Sequence, residues 1–109
     1  MMKKSNFDQI KRIYARPGVN RRSFSGENSM LVVNEIEATA QPALHSHPHE
    51  QLTYILEGEC DFIYGEESVR MGPGDVILVP PNLKHTLRPI GTKTIVNIDV
   101  FSPIREDYL

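Results

Sequence analysis

Punctuation is the strongest constraint in this sequence. From Val19 onward, runs rich in apolar and β-branched residues alternate with clusters of glycine, proline and asparagine. The runs fall at 21–25, 30–37, 43–47, 51–56, 59–64, 68–71, 76–79, 84–90 and 93–101. The breaks include Ser25-Gly26-Glu27-Asn28, Glu57-Gly58, Gly72-Pro73-Gly74-Asp75 and Pro80-Pro81-Asn82. Segments this short and this regularly interrupted suit the strands of a sandwich or barrel, because an amphipathic helix needs a longer unbroken stripe. The expected fold class is all-β. Residues 1–18 stand apart. Phe7, Ile10 and Ile13 or Tyr14 lie at helical spacing, Ser5 is placed to cap, and Pro17-Gly18 ends the pattern. The expected organisation is a short N-terminal arm or helix over 1–18 and one barrel domain over 19–109.

Two runs, Met30-Leu31-Val32-Val33 and Val76-Ile77-Leu78-Val79, are apolar at consecutive positions. Successive side chains of a strand face opposite ways, so such runs call for cover on both sides. One side is the barrel interior. The other awaits a second sheet or a second copy of the chain, and a homodimer is expected.

At 109 residues the chain can bury a core without disulfides. Its single cysteine, Cys60, rules out a disulfide framework or a four-cysteine zinc site and fits a reducing compartment. With no apolar signal core or membrane-length run, a cytoplasmic protein without membrane partners is expected. Lys3, Lys4, Lys11, Arg12, Arg16, Arg21 and Arg22 face only Asp8 in the first 22 residues. No aromatic platform or recognition-helix pattern accompanies them, so nucleic acid is not an expected partner. Arg21 and Arg22 lie near the first barrel strand, and the sequence does not decide whether either reaches an acidic ligand.

The chemistry concentrates in His45-Ser46-His47-Pro48-His49-Glu50-Gln51. Three of the four histidines fall here; the fourth is His85. In an extended chain, His45, His47, His49 and Gln51 share one face. Imidazoles suit zinc, copper, iron or nickel, and the amide oxygen of Gln51 adds a harder donor. His49 follows Pro48 and is read as a residue of the mouth. Glu50 has the opposite parity and joins the set only if a bulge shifts the register.

These residues resemble the two motifs of the cupin family. The first stands here as His45-x-His47-x3-Gln51-x6-Gly58, with Gln51 where the family pattern has glutamate. The second stands as Gly74-x5-Pro80-x-Asn82-x2-His85, with Asn82 in place of a glycine and Pro89 where the pattern closes on asparagine. The resemblance implies a double-stranded β-helix, or jelly-roll barrel. It implies one divalent transition metal, such as zinc, nickel, manganese or iron, held by His45, His47, Gln51 and His85. An amide in place of a carboxylate leaves the ion's charge uncompensated and makes it a stronger Lewis acid.

In the last run, Ile95, Asn97, Asp99 and Phe101 share one parity and Val96, Ile98 and Val100 the other. The first set suits a ligand cavity. The second is uniformly apolar and is expected in a packed core. The tail, Asp99-x-Phe101-x-Pro103-x-Arg105-Glu106-Asp107-Tyr108-Leu109, resembles the pectin-degradation cupins that open the ring of unsaturated uronates. That resemblance implies a sugar-acid substrate, with Asp99 as general acid and base, Arg105 gripping a carboxylate and Phe101 walling the pocket. Another metal-dependent cupin enzyme (a dioxygenase, isomerase or lyase) and a non-catalytic sugar-acid binder are the competing readings. Tyr54, Phe62, Tyr64 and Met71 are read as barrel core, and Cys60 as a buried, inert thiol.

Overall fold

The computed structural model describes residues 2–109. Among them, nine strands form two antiparallel sheets. The larger sheet contains β1 (Ile13–Arg16), β2 (Val19–Ser25), β3 (Met30–Ile36), β4 (Glu50–Glu57), β7 (Val76–Val79) and β9 (Ile95–Ser102), in the order β1-β2-β3-β9-β4-β7. The smaller contains β5 (Glu59–Tyr64), β6 (Glu67–Met71) and β8 (His85–Ile90), in the order β6-β5-β8. Two facing sheets joined this way make the expected jelly-roll barrel. None of the described helices is long and apolar enough to cross a membrane.

Register places the inward side chains of the larger sheet in rows. The lowest row is Val19, Ile36 and Ile95. Above it stand Arg21, Asn34, Asn97 and Ile55, then Ser23, Val32, Asp99, Thr53 and Ile77. The last row is Ser25, Met30, Phe101, Gln51 and Val79. The floor closes against Cys60, Phe62 and Met71 of the smaller sheet and forms the main apolar core. Ile55 and Ile95 are fully buried there; truncating such a residue to alanine costs about 2–5 kcal/mol. A smaller cluster of Met30, Val32 and Phe101 packs under Ile104 and Tyr108. The inner face of the sheet is therefore apolar at the floor, most polar in its two middle rows, and mixed in the last row, where Gln51 stands among Met30, Phe101 and Val79.

Two turns carry the fold's sharpest constraints. Gly58 has φ 84°, and a Cβ there would lie 3.0 Å from both Ile95 Cγ1 and the Thr94 carbonyl oxygen. Asn82 has φ 68°, the left-handed conformation that suits asparagine where the motif has glycine.

Three expectations need correction. The segment 43–47 is not a strand. It is a loop joined to β8 by one isolated bridge, His45 to His85, because Pro42 and Pro48 remove donors at its two ends. The N-terminal helix is only a 3-10 turn, Phe7–Gln9, capped by Asn6 rather than Ser5, and followed by edge strand β1. Its apolar residues bury nothing fully, so no packed face sustains a helix. Last, Val96, Ile98 and Val100 do not enter a core. They point outward and are half-buried, while their neighbours Asn97 and Asp99 are buried. Tyr54 likewise faces outward, whereas Phe62 and Met71 do belong to the core.

The basic N-terminal residues are largely tied down within the chain. Arg12 and Arg22 pair with Glu35 at 2.7 and 3.3 Å, Lys3 donates to the Ser25 carbonyl, and Arg16 to the Gln41 carbonyl.

Candidate metal centre and adjoining pocket

The loop before β4 and the start of β8 are sewn together by backbone bonds. His45 and His85 exchange N–H···O bonds of 3.1 and 2.9 Å, and the Asn82 N–H donates to the His47 carbonyl at 2.8 Å. The left-handed turn at Asn82 thus holds the histidine loop against β8. The consequence is spatial: His45, His47 and His85 offer ligand atoms that all lie within 4.8 Å of one another. His47 and His85 are buried, and His45 stands at the exposed rim. Phe62 stacks on the His85 ring at 5.8 Å, and Phe101 meets His47 edge-on at 5.4 Å.

Hydrogen bonding sets the tautomers. Nδ1 of His45, His47 and His85 faces the carbonyl oxygens of Ala43, His49 and Leu83 at 3.1, 3.1 and 2.7 Å. A carbonyl only accepts, so each Nδ1 carries the proton and each Nε2 keeps its lone pair. Gln51, the first inward residue of β4, aims Oε1 at these nitrogens: 2.9 Å from His47 Nε2 and 3.2 Å from His85 Nε2. The orientation of this amide follows from its other end, where Nε2 donates to Thr53 Oγ1 at 2.7 Å and to Asp99 Oδ1 at 3.3 Å.

Lone pairs therefore converge on one point from two imidazoles and an amide oxygen. That arrangement is repulsive unless a proton or a cation lies within it. Burial opposes the proton: it lowers the pKa of His47, and it lowers that of His85 to about 4. The donor set thus fits a divalent transition metal, with carbonyl partners orienting each ring as metal-binding histidines require. Glu50 is exposed and turned away, so no bulge brings it in. His49 lies beside the centre rather than in it; its ring is 5.5 Å from that of His47.

Asp99 sits next to this cluster. Its Oδ1 accepts from Thr53 Oγ1 at 2.7 Å, Asn97 Nδ2 at 3.0 Å and Gln51 Nε2, and its Oδ2 accepts from Asn34 Nδ2 at 2.8 Å. Burial pushes its pKa up to about 6 even though these donors favour the charged form. A solvent-facing Asp99 is excluded.

Centre and carboxylate border one cavity of about 350 Å³, within the range of small-molecule sites. Phe101 and Arg105 line it as well. Arg105 also pairs with Asp107 at 2.8 Å. Its guanidinium lies 5.1 Å from the Phe101 ring centroid and 4.0 Å from that of Tyr108. Arg21 and Asn34 line the same cavity, and the sequence reading left Asn34 out of the site. The signal for Asn34 was its shared parity with Met30 and Val32, visible only once the register to β9 is known.

Two facing antiparallel sheets, with imidazoles meeting at one end of the barrel, define a small β-barrel protein with a candidate metal centre. The cupin domain model (Cupin_2) matches residues 32–101, and the chain belongs to the cupin family. An RmlC-like cupin from Shewanella frigidimarina superposes with a TM-score of 0.90 at 26% identity, covering 100% of this chain and 97% of that one. KdgF from a Halomonas species superposes with a TM-score of 0.84 at 28% identity, covering 94% of this chain and 95% of that one. The dimethylsulfoniopropionate lyase DddQ of Ruegeria pomeroyi is 32% identical over 66 residues, 60% of this chain and 33% of the lyase. This chain therefore spans about one third of that relative.

Proposed function

We propose that the protein is a metal-dependent enzyme that opens the ring of a 4,5-unsaturated uronate monomer, giving the linear 5-keto-4-deoxyuronate. The observation that carries this reading is the buried Asp99 carboxylate beside the three-histidine cluster, on the wall of one cavity with Arg105. The similarity to KdgF over nearly the whole chain supports it.

His45, His47, Gln51 and His85 would hold the ion. When bound, it supplies a Lewis acid that polarises substrate oxygen. The remaining work falls to the chain's own groups. Asp99 takes the proton of the anomeric hydroxyl as the bond from C1 to the ring oxygen breaks and C1 becomes an aldehyde. The ring oxygen leaves as the enolate of C5. Asp99 returns the proton to C4 as C5 becomes a ketone. One proton leaves oxygen and one reaches carbon, so the mass is unchanged. Oδ2, which accepts only one hydrogen bond, is the oxygen free to carry that proton. A pKa near 6 leaves the group ionised at neutral pH yet basic enough to accept it. Arg105 binds the carboxylate, and Phe101 keeps water from that side of the pocket.

The test is direct. Metal-loaded protein is added to unsaturated galacturonate and the ultraviolet absorbance of its double bond is followed. A fall in absorbance at constant product mass, abolished by a chelator, is expected. Steady absorbance in the presence of fully loaded protein contradicts the reading.

The outer face of the larger sheet supports a second copy as partner. Leu52, Tyr54, Val76 and Leu78 lie side by side on β4 and β7 and are 43–63% exposed. A two-fold interface brings a patch against itself, so an apolar face is matched by its own copy.

A further inference from the structure

Arg21 is an inward-facing cation that forms no ion pair among the described residues. It occupies the same cross-sheet row as Asn34 and Asn97, one row above the apolar floor. It lines the cavity shared by the histidine cluster and Asp99. Among the described residues two nearby arginines pair with carboxylates: Arg12 and Arg22 with Glu35, and Arg22 also with Asp8. Arg21 forms no such pair, and its buried Nε has no hydrogen-bond partner. A shielded guanidinium N–H without an acceptor is costly. On the same row, the buried Oδ1 of Asn97 also lacks a partner. The row is polar beyond what the protein's own bonding uses.

The placement of Arg21 explains what the surplus serves. Its Cζ is 3.9 Å from the ring centroid of Tyr108, and that of Arg105 is 4.0 Å from the same ring. One tyrosine thus holds two guanidiniums at the cavity wall by cation–π contact. The charge of Arg105 is answered by Asp107; that of Arg21 is not. With Arg105 already paired to Asp107, the positive charge of Arg21 at the same wall favours an incoming anion. The flat, forked guanidinium is suited to receiving a carboxylate.

We propose that Arg21 is a second carboxylate-binding residue of this pocket. It acts with Arg105 across Tyr108 and makes the site selective for a hydroxylated carboxylic acid over the neutral sugar of the same shape. The C-terminal segment is then part of the specificity device, since Tyr108 fixes the position of both cations. The inference rests on the uronate reading only for the size of the acid.

Binding by calorimetry separates the two. The probes are saturated galacturonate, which has no double bond to react, and galactose, its neutral counterpart. Wild-type protein, metal-loaded, is expected to bind galacturonate more tightly than galactose. Arg21→Met keeps the aliphatic stem and removes the charge. It is expected to weaken galacturonate ~10–100-fold, the range of a charge-assisted hydrogen bond, with galactose affinity and metal content unchanged. Arg21→Lys should fall between, retaining charge without the fork. Arg12→Met, which removes an equal charge on the outside, should leave both affinities alone. The proposal is overturned if wild type does not favour the acid, if Arg21→Met binds galacturonate as well as wild type, or if that variant loses both sugars equally. Turnover of unsaturated uronate is scored separately. Acid binding that depends on Arg21 without turnover sinks the ring-opening reading alone; turnover with an unaltered KM in Arg21→Met sinks this proposal alone.

Discussion

The two faces of the six-stranded sheet are built on opposite rules. On the inner face, from the second row upward, polar groups bond to one another: the half-buried Asn34 and the buried Gln51, Thr53 and Asn97 all donate around Asp99 or to its neighbour. On the outer face, Leu52, Tyr54, Leu56, Val76 and Leu78 stay exposed, with Val96, Ile98 and Val100 half-covered beside them. An antiparallel sheet with one wet side ordinarily turns its apolar residues inward. Here the polar parity of β9 and of the start of β4 faces in and the apolar parity faces out. A polar interior suits a small molecule or an ion, and an apolar exterior suits another protein surface. The lesson is that alternation reveals a strand's two sets but not which of them is inside.

This contrast makes separable predictions. The largest concerns Asp99. Asp99→Asn keeps a polar group of the same shape, so metal content and assembly should be unchanged while turnover of unsaturated uronate falls ~10²–10⁴-fold. Loss of metal in that variant would mean that the inner network serves the centre rather than the proton. Next comes Gln51→Glu. A carboxylate at 51 should tighten metal binding about tenfold, since it neutralises one charge of the ion. It also places a like charge beside Asp99 Oδ1, raising the Asp99 pKa and moving the acidic limb of the rate profile to higher pH. An unmoved limb would argue that Asp99 does not set it.

The outer face should respond in the reverse way. Leu78→Arg should convert a dimer into a monomer in sedimentation, with turnover per chain altered by no more than about twofold, because surface changes away from a site are usually small. A wild-type chain that sediments as a monomer at every concentration removes the need for a covering copy.

The smallest effect is on the stability of metal-free protein between pH 4 and 6.5, the window set by the two shifted groups. Asp99, raised to about 6 from 3.8, holds more protons folded than unfolded, so its contribution weakens as pH rises. His85, lowered to about 4 from 6.5, holds fewer, so its contribution strengthens over the same range. The two oppose each other, and His47, also lowered, adds to the side of His85. A shallow rise in the urea midpoint with pH is expected for wild type and a steeper rise for Asp99→Asn. Identical slopes would show that Asp99 does not titrate there.

Much of this was legible in the residues themselves. Strands β2 to β9 follow the glycine and proline breaks, and Asn82 takes the left-handed turn that its place in the motif implies. The spacing of His45, His47, Gln51 and His85 also led to one cluster, because a motif encodes the turn and bridge that unite them. What stayed hidden depends on long-range register. Asn34 becomes part of the pocket wall only through its pairing with Asn97 on β9, more than sixty residues away, and Arg21 only through its pairing with Asn34 on β3. The looped course of 43–47 arises from the prolines at its ends. The outward turn of Val96, Ile98 and Val100 was missed because an apolar set beside a polar one is usually the buried one.

Metal titration of wild-type protein, compared with His47→Ala and His85→Ala, bears most directly on the claim that one cation centres the site. One divalent ion per chain is expected for wild type, with affinity reduced by about 10²-fold or more in each variant, since even residues that merely support a ligand are worth 10–100-fold. Wild-type protein that takes up no stoichiometric metal, or variants that bind it as tightly as wild type, would contradict the account.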